Sequence, residues 1–157
     1  MRIDVGESMK NEACLFNPYV KIFYELPEDS KEIRTEVFVK EQGFNEEFDT
    51  VDHRAIHLVA YLDKKPIGTC RIFTEEEQAV FFLGRLAVLP EFRGKSVGGL
   101  LIKESEACAL ERGGRVIKLH SQVRAKGFYE KCGYTEYGEI EYEENCPHIW
   151  MKKDIRF

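Results

Sequence analysis

The 157-residue chain has no apolar run near the roughly 18 residues that a membrane-spanning helix needs, which excludes an α-helical membrane protein. Glycine and proline are sparse, at 12 and 5 residues, too few for a collagen-like or low-complexity chain. The 43% hydrophobic content is too high for wholesale disorder. No apolar stretch follows Met1, so no signal peptide is read and a cytoplasmic location is expected. The cysteines Cys14, Cys70, Cys108, Cys132 and Cys146 are odd in number and share no short pairing interval. Neither a disulfide framework nor a metal site is expected from them, and they are read as reduced thiols. A basic excess is also lacking: 23 Lys and Arg against 28 Asp and Glu give −5, which argues against a nucleic-acid partner. There is no internal repeat and no linker, and the length suits one domain of about 100 to 200 residues.

What is present is unevenly spread. Residues 25 to 63 hold eleven acids against four bases, net −7, and residues 91 to 126 hold eight bases against four acids, net +4. One stretch suits a cation and the other a polyanion, although two ordinary solvated faces would look the same.

Residues 1 to 18 show no period and end in Asn17-Pro18, so they read as a loose lead-in to a domain over 19 to 157. The alternation from Tyr19 predicts a strand. Pro27 then opens a helix through Ile33, Val37 and Phe38 that stops at Gly43. An acidic loop, Phe44 to Asp52, follows. Ala55 to Leu62 and Pro66 to Phe73 predict a hairpin, and the apolar run Val80 to Leu89 predicts a central strand covered on both faces. A helix from Val97 to Arg112 presents Val97, Leu100, Leu101, Ala107 and Cys108 on one face and is capped by Gly113-Gly114. Arg115 to Leu119 predicts a strand, Gln122 to Cys132 a helix, and Tyr134 to Tyr142 with Pro147 to Met151 two closing strands. The order implies a mixed α/β (α+β) single domain.

The turn Pro90-Glu-Phe-Arg93-Gly94-Lys95-Ser96-Val97-Gly98-Gly99 joins strand to helix through small residues and cations. Glycines let the backbone approach an anion, and the helix start supplies unpaired N–H groups where the macrodipole is positive. A phosphate or pyrophosphate is the natural ligand, a flexible surface loop the plain alternative. A nucleoside-triphosphate loop needs glycine at position 89, which is leucine.

The segment Leu86-Ala87-Val88 through Arg93-Gly94-Lys95-Ser96-Val97-Gly98 resembles the acetyl-CoA signature of the GNAT family of N-acetyltransferases, Arg/Gln-x-x-Gly-x-Gly/Ala. Ser96 stands where the family usually has glycine. Its N–H remains available, while its Cβ narrows the approach. Gln122-Val-Arg-Ala125 to Phe128-Tyr129 and Gly133-Tyr134 is similar to the family's second block, with Gln122 in place of asparagine. Val37 to Gly43 and Pro147 to Met151 resemble the small bacterial branch typified by the ElaA and YjcF proteins. The resemblance runs over about residues 20 to 153. It implies a central mixed, mostly antiparallel sheet flanked by helices, acetyl-CoA as co-substrate, and direct transfer in a ternary complex without an acyl-enzyme. It places Leu86, Ala87, Val88, Arg93, Gly94, Lys95, Ser96, Val97, Gly98, Gly99, Gln122 and Tyr129 at the cofactor.

Acetyl transfer needs a neutral amine, a polarised carbonyl and a proton for the leaving thiolate. A lysine-like amine of pKa about 10.4 lies roughly three units above neutral pH, a cost of about 4 to 5 kcal/mol, so a base is expected. Tyr129 is the residue that the resemblance sets near the sulfur, where a phenol can protonate the thiolate; a packed core tyrosine is the alternative. A backbone N–H within Leu86 to Val88 is implied for the carbonyl. Candidate bases are Glu47 and His120, with Asp49, Asp52 and His57 nearby in sequence and His148 a candidate for lining the site. A solvated acidic loop and a packed histidine are the alternatives. The acceptor is expected to be a small-molecule or peptide amine, with the acidic stretch favouring a cationic one, and a homodimer is left open. A non-catalytic CoA-binding sensor and a transferase of longer acyl chains are the rival functions.

Overall fold

The computed structural model describes residues 16–156; most of the lead-in expected over 1 to 18, and Cys14, lie outside the described residues. Strand β1 (Tyr19–Phe23) leads to helix α1 (Glu28–Arg34), which continues as a π-helical segment Thr35–Glu41. Its last bond runs from the Gln42 N–H to the Val37 carbonyl at 3.2 Å, and Gly43 at φ +80° turns the chain away, a conformation that glycine adopts without a Cβ clash. A short 3-10 turn, Thr50–His53, closes the acidic loop. Strands β2 (Ile56–Leu62), β3 (Lys65–Thr74) and β4 (Val80–Val88) follow, then helix α2 (Val97–Glu111), β5 (Val116–Gln122), a 3-10 turn Val123–Ala125, helix α3 (Lys126–Lys131), β6 (Thr135–Glu143) and β7 (Cys146–Asp154).

The strands form a single seven-stranded sheet in the order β1-β2-β3-β4-β5-β7-β6. β4 and β5 are parallel and every other neighbouring pair is antiparallel, because the connection through α2 returns the chain to the same end of the sheet. Val97, Leu101, Ile102, Ser105, Cys108 and Ala109 of α2 are buried. Ala107, expected on that face, is exposed and Leu100 half-buried, since the buried stripe runs through Ile102, Ser105 and Ala109 instead. Gly68 lets α2 lie close: a Cβ there would stand 3.1 Å from both Leu101 Cδ1 and Val97 Cγ1.

Two expectations are corrected in the strands. β5 runs on through His120 and Ser121 to Gln122, so Gln122 ends a strand and does not open a helix. β4 is central but not covered on both faces. Phe81 and Leu83 are buried in the main core, whereas Phe82 between them is half-buried. A bulge then changes the phase: Thr69 pairs Ala87 while Arg71 pairs Gly84, so β4 carries one residue too many. Arg85 absorbs it at φ +52°. Beyond the bulge the even residues Leu86 and Val88 pack on the main core, and Ala87 and Leu89 join a second cluster with Ile33, Val37 and Phe38 under the π-helical segment.

Candidate active site

The rungs shared by β4 and β5 end at Leu83 opposite Leu119, although β4 continues to Val88 and β5 to Gln122. The parting strands open a cavity of about 540 Å³ lined by Leu86, His120, Gln122, Tyr129 and Glu47, among others. Five residues proposed from sequence for cofactor or catalysis thus meet in one space, drawn from four parts of the chain. His148 lines it too. The loop residues 93 to 99 lie outside the cavity lining, at the start of α2.

At that start, Gly94 (φ +76°) and Ser96 (φ +65°) are both left-handed. Glycine adopts this conformation freely, whereas an L-residue such as serine loses roughly 1 kcal/mol in it. This accounts physically for the glycine usual at position 96. The first helical bond is donated by Leu100 to the Ser96 carbonyl at 3.0 Å, which leaves the N–H groups of Val97, Gly98 and Gly99 for an external acceptor. A Cβ at Gly98 would stand 3.0 Å from Phe128 Cζ, so α3 seats directly against the cradle. Arg93 is not free: its guanidinium donates to both Glu41 oxygens at 2.9 and 2.7 Å and from Nε to the Val88 carbonyl at 2.9 Å. The residues fit a pyrophosphate on backbone amides, with Lys95 exposed beside them.

Tyr129 is 9% exposed and lines the cavity. Burial, with Cys70 and Cys132 nearby, pushes its phenol well above the ordinary range, so it stays protonated through neutral pH and can act only as an acid. Cys70 lies behind the cavity against Ser105 at 3.2 Å, and burial pushes its thiol up to about 12, so it offers no thiolate near neutral pH.

The acidic loop is solvated only in part: Asn45, Glu46, Phe48 and Asp49 are exposed. Glu47 is 5% and Asp52 3% exposed, because three arginines reach them. Arg34 donates from Nε to Glu47 Oε2 at 2.9 Å and to the Asp52 carboxylate at 2.8 and 3.1 Å. Arg71 donates to Asp49 at 2.7 and 3.1 Å and to Asp52 at 2.8 Å. Arg85 sits 3.0 Å from Glu47 Oε2 and 3.3 Å from Asp49 Oδ2. Burial works to raise Asp52, but hydrogen bonds from Arg34 and Arg71 outweigh it and hold it at about 2. At Glu47 burial outweighs Arg85 and Arg34, and its pKa is raised. His57, buried, faces the Asp52 carbonyl from Nε2 at 3.0 Å, and burial lowers its pKa; it lies outside the cavity lining.

Across the cavity, His120 stacks on Trp150 with ring centres 4.5 Å apart and lies 4.9 Å from the His148 ring. Its Nδ1 bonds Glu143. A carboxylate only accepts, so Nδ1 carries a proton; Nε2 is buried, makes no hydrogen bond and lies 3.5 Å from Glu141 Oε1. His148 Nδ1 donates to the Cys146 carbonyl at 2.9 Å, and its Nε2 lies 4.0 Å from Glu143. The two banks are tied by the β6–β7 turn: Glu144 accepts the N–H groups of Asn45 at 2.9 Å and Glu46 at 3.1 Å. Gln122 donates to Gln42 at 2.8 Å and accepts from Arg124 at 2.7 Å.

Sequence reasoning missed Arg71, Arg85, Glu143, Phe73 and Phe82, all of which line the cavity. Only the alternation of Glu139, Glu141 and Glu143 with apolar neighbours hinted that β6 offers one carboxylate row to a single side.

The acetyltransferase (GNAT) domain family matches residues 24–155. The uncharacterized N-acetyltransferase YjcF of Bacillus subtilis (strain 168) is 36% identical over 129 residues, 80% of this chain and 91% of that protein. The crystal structure of Escherichia coli ElaA superposes with a TM-score of 0.77 at 23% identity, over 88% of this chain and all of that one. An aminoglycoside 6'-N-acetyltransferase complexed with coenzyme A shares the fold, with a TM-score of 0.70 at 18% identity, over 88% of this chain and 97% of that one.

Proposed function

The chain belongs to the GNAT family of acetyltransferases, and from that premise we propose that it transfers an acetyl group from acetyl-CoA to a primary amine by direct attack in a ternary complex. One observation carries the reading: the cavity at the β4–β5 opening brings the Tyr129 phenol and an imidazole held by a carboxylate into one space, and the helix that carries Tyr129 packs through Phe128 against the open start of α2 at Gly98.

Acetyl-CoA supplies a thioester, an acyl group on a leaving thiolate. The N–H groups of Val97, Gly98 and Gly99 bind the pyrophosphate, helped by the helix dipole. A backbone N–H of Leu86 to Val88, past the last rung shared with β5, polarises the acyl carbonyl; one such donor is worth about 3 kcal/mol in the transition state. His120 takes the proton that the amine sheds as its nitrogen bonds the carbonyl carbon, directly or through one water, while Glu143 holds the ring. Tyr129 gives its proton to the sulfur as the C–S bond breaks, and is reprotonated from solvent. Glu47 is assigned to the arginine network, because a proton taken there would cost it the ion pairs to Arg34 and Arg85. The raised phenol and the neutral Cys70 thiol support transfer without an acyl-cysteine.

The test is release of free CoA from acetyl-CoA by the purified chain with a panel of primary amines. Amine-dependent release is expected, and Tyr129→Phe should lower kcat about 100-fold with acetyl-CoA binding retained. Tight CoA binding with no transfer to any amine would replace the reading with a non-catalytic sensor, and preference for a longer acyl-CoA would replace acetyl.

A further inference from the structure

The −7 stretch that suggested a cationic acceptor is engaged in part within the fold: three arginines from outside it, Arg71, Arg85 and Arg93, reach Glu47, Asp49, Asp52 and Glu41. Glu47, Asp49 and Asp52 answer to Arg34, Arg71 and Arg85. Glu41 holds Arg93, and Glu36 pairs Lys40. Of the carboxylates along the cavity, Glu144 is occupied by the backbone of Asn45 and Glu46, and Glu46 stands exposed at the edge. Glu143 alone among the described lining residues is a carboxylate held by imidazole and not by arginine or backbone. Arg71, Arg85 and Arg124 line the same space, so a second or third ammonium entering there would meet guanidinium as often as carboxylate.

Much of the apolar lining is aromatic. Phe73 from β3 stacks on Phe82 from β4 at 5.5 Å, and Phe82 meets Trp150 from β7 edge-on at 6.1 Å. Phe38 and Phe44 form an edge-to-face pair at 6.4 Å on the opposite bank. Phe73, Phe82 and Trp150 are only half-buried: α2 covers the other face of the sheet, and α1 covers this face near β2 and β3. Phe73 carries the Arg54 and Arg71 guanidinium groups over its ring at 5.2 and 5.5 Å, which leaves Phe82 and Trp150 as an apolar surface shaped for a ring or hydrocarbon body.

We propose that the acceptor is a monoamine with an aromatic or apolar body, its nitrogen brought to His120 and Glu143 while the body lies against Phe82 and Trp150. The proposal rests on the acetyl-transfer reading and narrows it. Trp150, backed by His120 on one face and flanked by Tyr137 at 6.4 Å and Phe82 at 6.1 Å, offers the surface it leaves toward the cavity to apolar contact and to the amine's positive charge. Polyamines and amino sugars carry further ammonium and hydroxyl groups that would face Arg71, Arg85 and Arg124 and the half-buried aromatic rings, with Glu46 the one exposed, unpaired carboxylate among the described lining residues.

The experiment measures free CoA released from acetyl-CoA by the full chain with phenethylamine, tryptamine, ethylamine, spermidine and kanamycin. Phenethylamine and tryptamine should exceed spermidine and kanamycin in kcat/KM by roughly tenfold or more, and ethylamine by a similar factor, the scale that a few buried carbons set. In Trp150→Ala the ratio of phenethylamine to ethylamine kcat/KM should fall about tenfold; Phe82→Leu, which keeps most of the volume, reads the same ratio if the first variant does not fold. Spermidine or kanamycin as the best acceptor, or ethylamine equal to phenethylamine, overturns the acceptor class while leaving acetyl transfer standing. No CoA release with any amine, despite CoA binding, overturns both.

Discussion

The cavity's two banks are built from similar groups and put them to opposite use. On the acidic-loop bank, Glu47, Asp49 and Asp52 are closed by three arginines through fork-shaped contacts of 2.7 to 3.3 Å, with Arg34 and Asp52 almost wholly out of water. On the β6–β7 bank, Glu143 meets two imidazoles and its side chain remains 44% exposed. A guanidinium cannot release its proton near neutral pH and an imidazole can. The first bank therefore has fixed charge and serves as scaffold, whereas the second can exchange protons with a substrate on one side and solvent on the other. Proximity to the cavity does not separate these roles; the identity of the cation does.

The sharpest way to break that contrast is Arg34→Ala. It leaves Glu47 and Asp52 buried without their shared partner, and unfolding in urea should show a loss of about 3 to 5 kcal/mol. A loss below about 1 kcal/mol would mean that water reaches the network and the scaffold role is wrong. The mirror experiment is His120→Gln on the other bank. Here kcat should fall about 100-fold, equivalent to about 2.7 kcal/mol of transition-state stabilisation, with the urea midpoint nearly unchanged. Equal losses of stability in both variants would erase the distinction.

A smaller effect comes from acid. Asp52 is held at about 2, below the ordinary aspartate value of 3.8, so on acidification its folded form binds a proton later than its unfolded form. Its contribution is fully present above about pH 4 and drains away as pH falls from about 4 to 2, an effect of about 2 kcal/mol. Urea unfolding followed across that window should show the decline in the native chain and a flatter profile in Arg34→Ala. A profile equally steep in the variant would detach Asp52 from Arg34.

The elements that could be read from sequence are those with local causes. The hairpin over β2 and β3 and the helix α2 ending at Gly113 (φ +85°) follow from period and turn chemistry within a few residues. The glycine-bearing turn that opens α2 was legible for the same reason, since Gly94 to Gly99 is one contiguous segment. Glu47 and Asp52 were not, because their burial depends on Arg34 from α1 and Arg71 from β3 meeting them across the loop. The strand character of His120 to Gln122 was hidden as well: their pairing to Trp150, Ile149 and His148 is a tertiary fact, and a polar strand end resembles a helix start. The uncovered face of β4 escaped because a nearly continuous apolar run reads as a strand covered on both faces, and the bulge at Arg85 is carried by a residue with no turn signature.

That bulge places two demands on a single position. The backbone at Arg85, φ +52°, would be easier with glycine, yet glycine would withdraw the guanidinium that faces Glu47 and Asp49. The two requirements cannot be met by any one alternative among the standard residues, so a lineage can leave arginine here only if the acidic loop changes in the same step. Position 85 should therefore drift in concert with 47 and 49, and the spacing of β4 becomes tied, through descent, to the charge of a loop almost forty positions upstream.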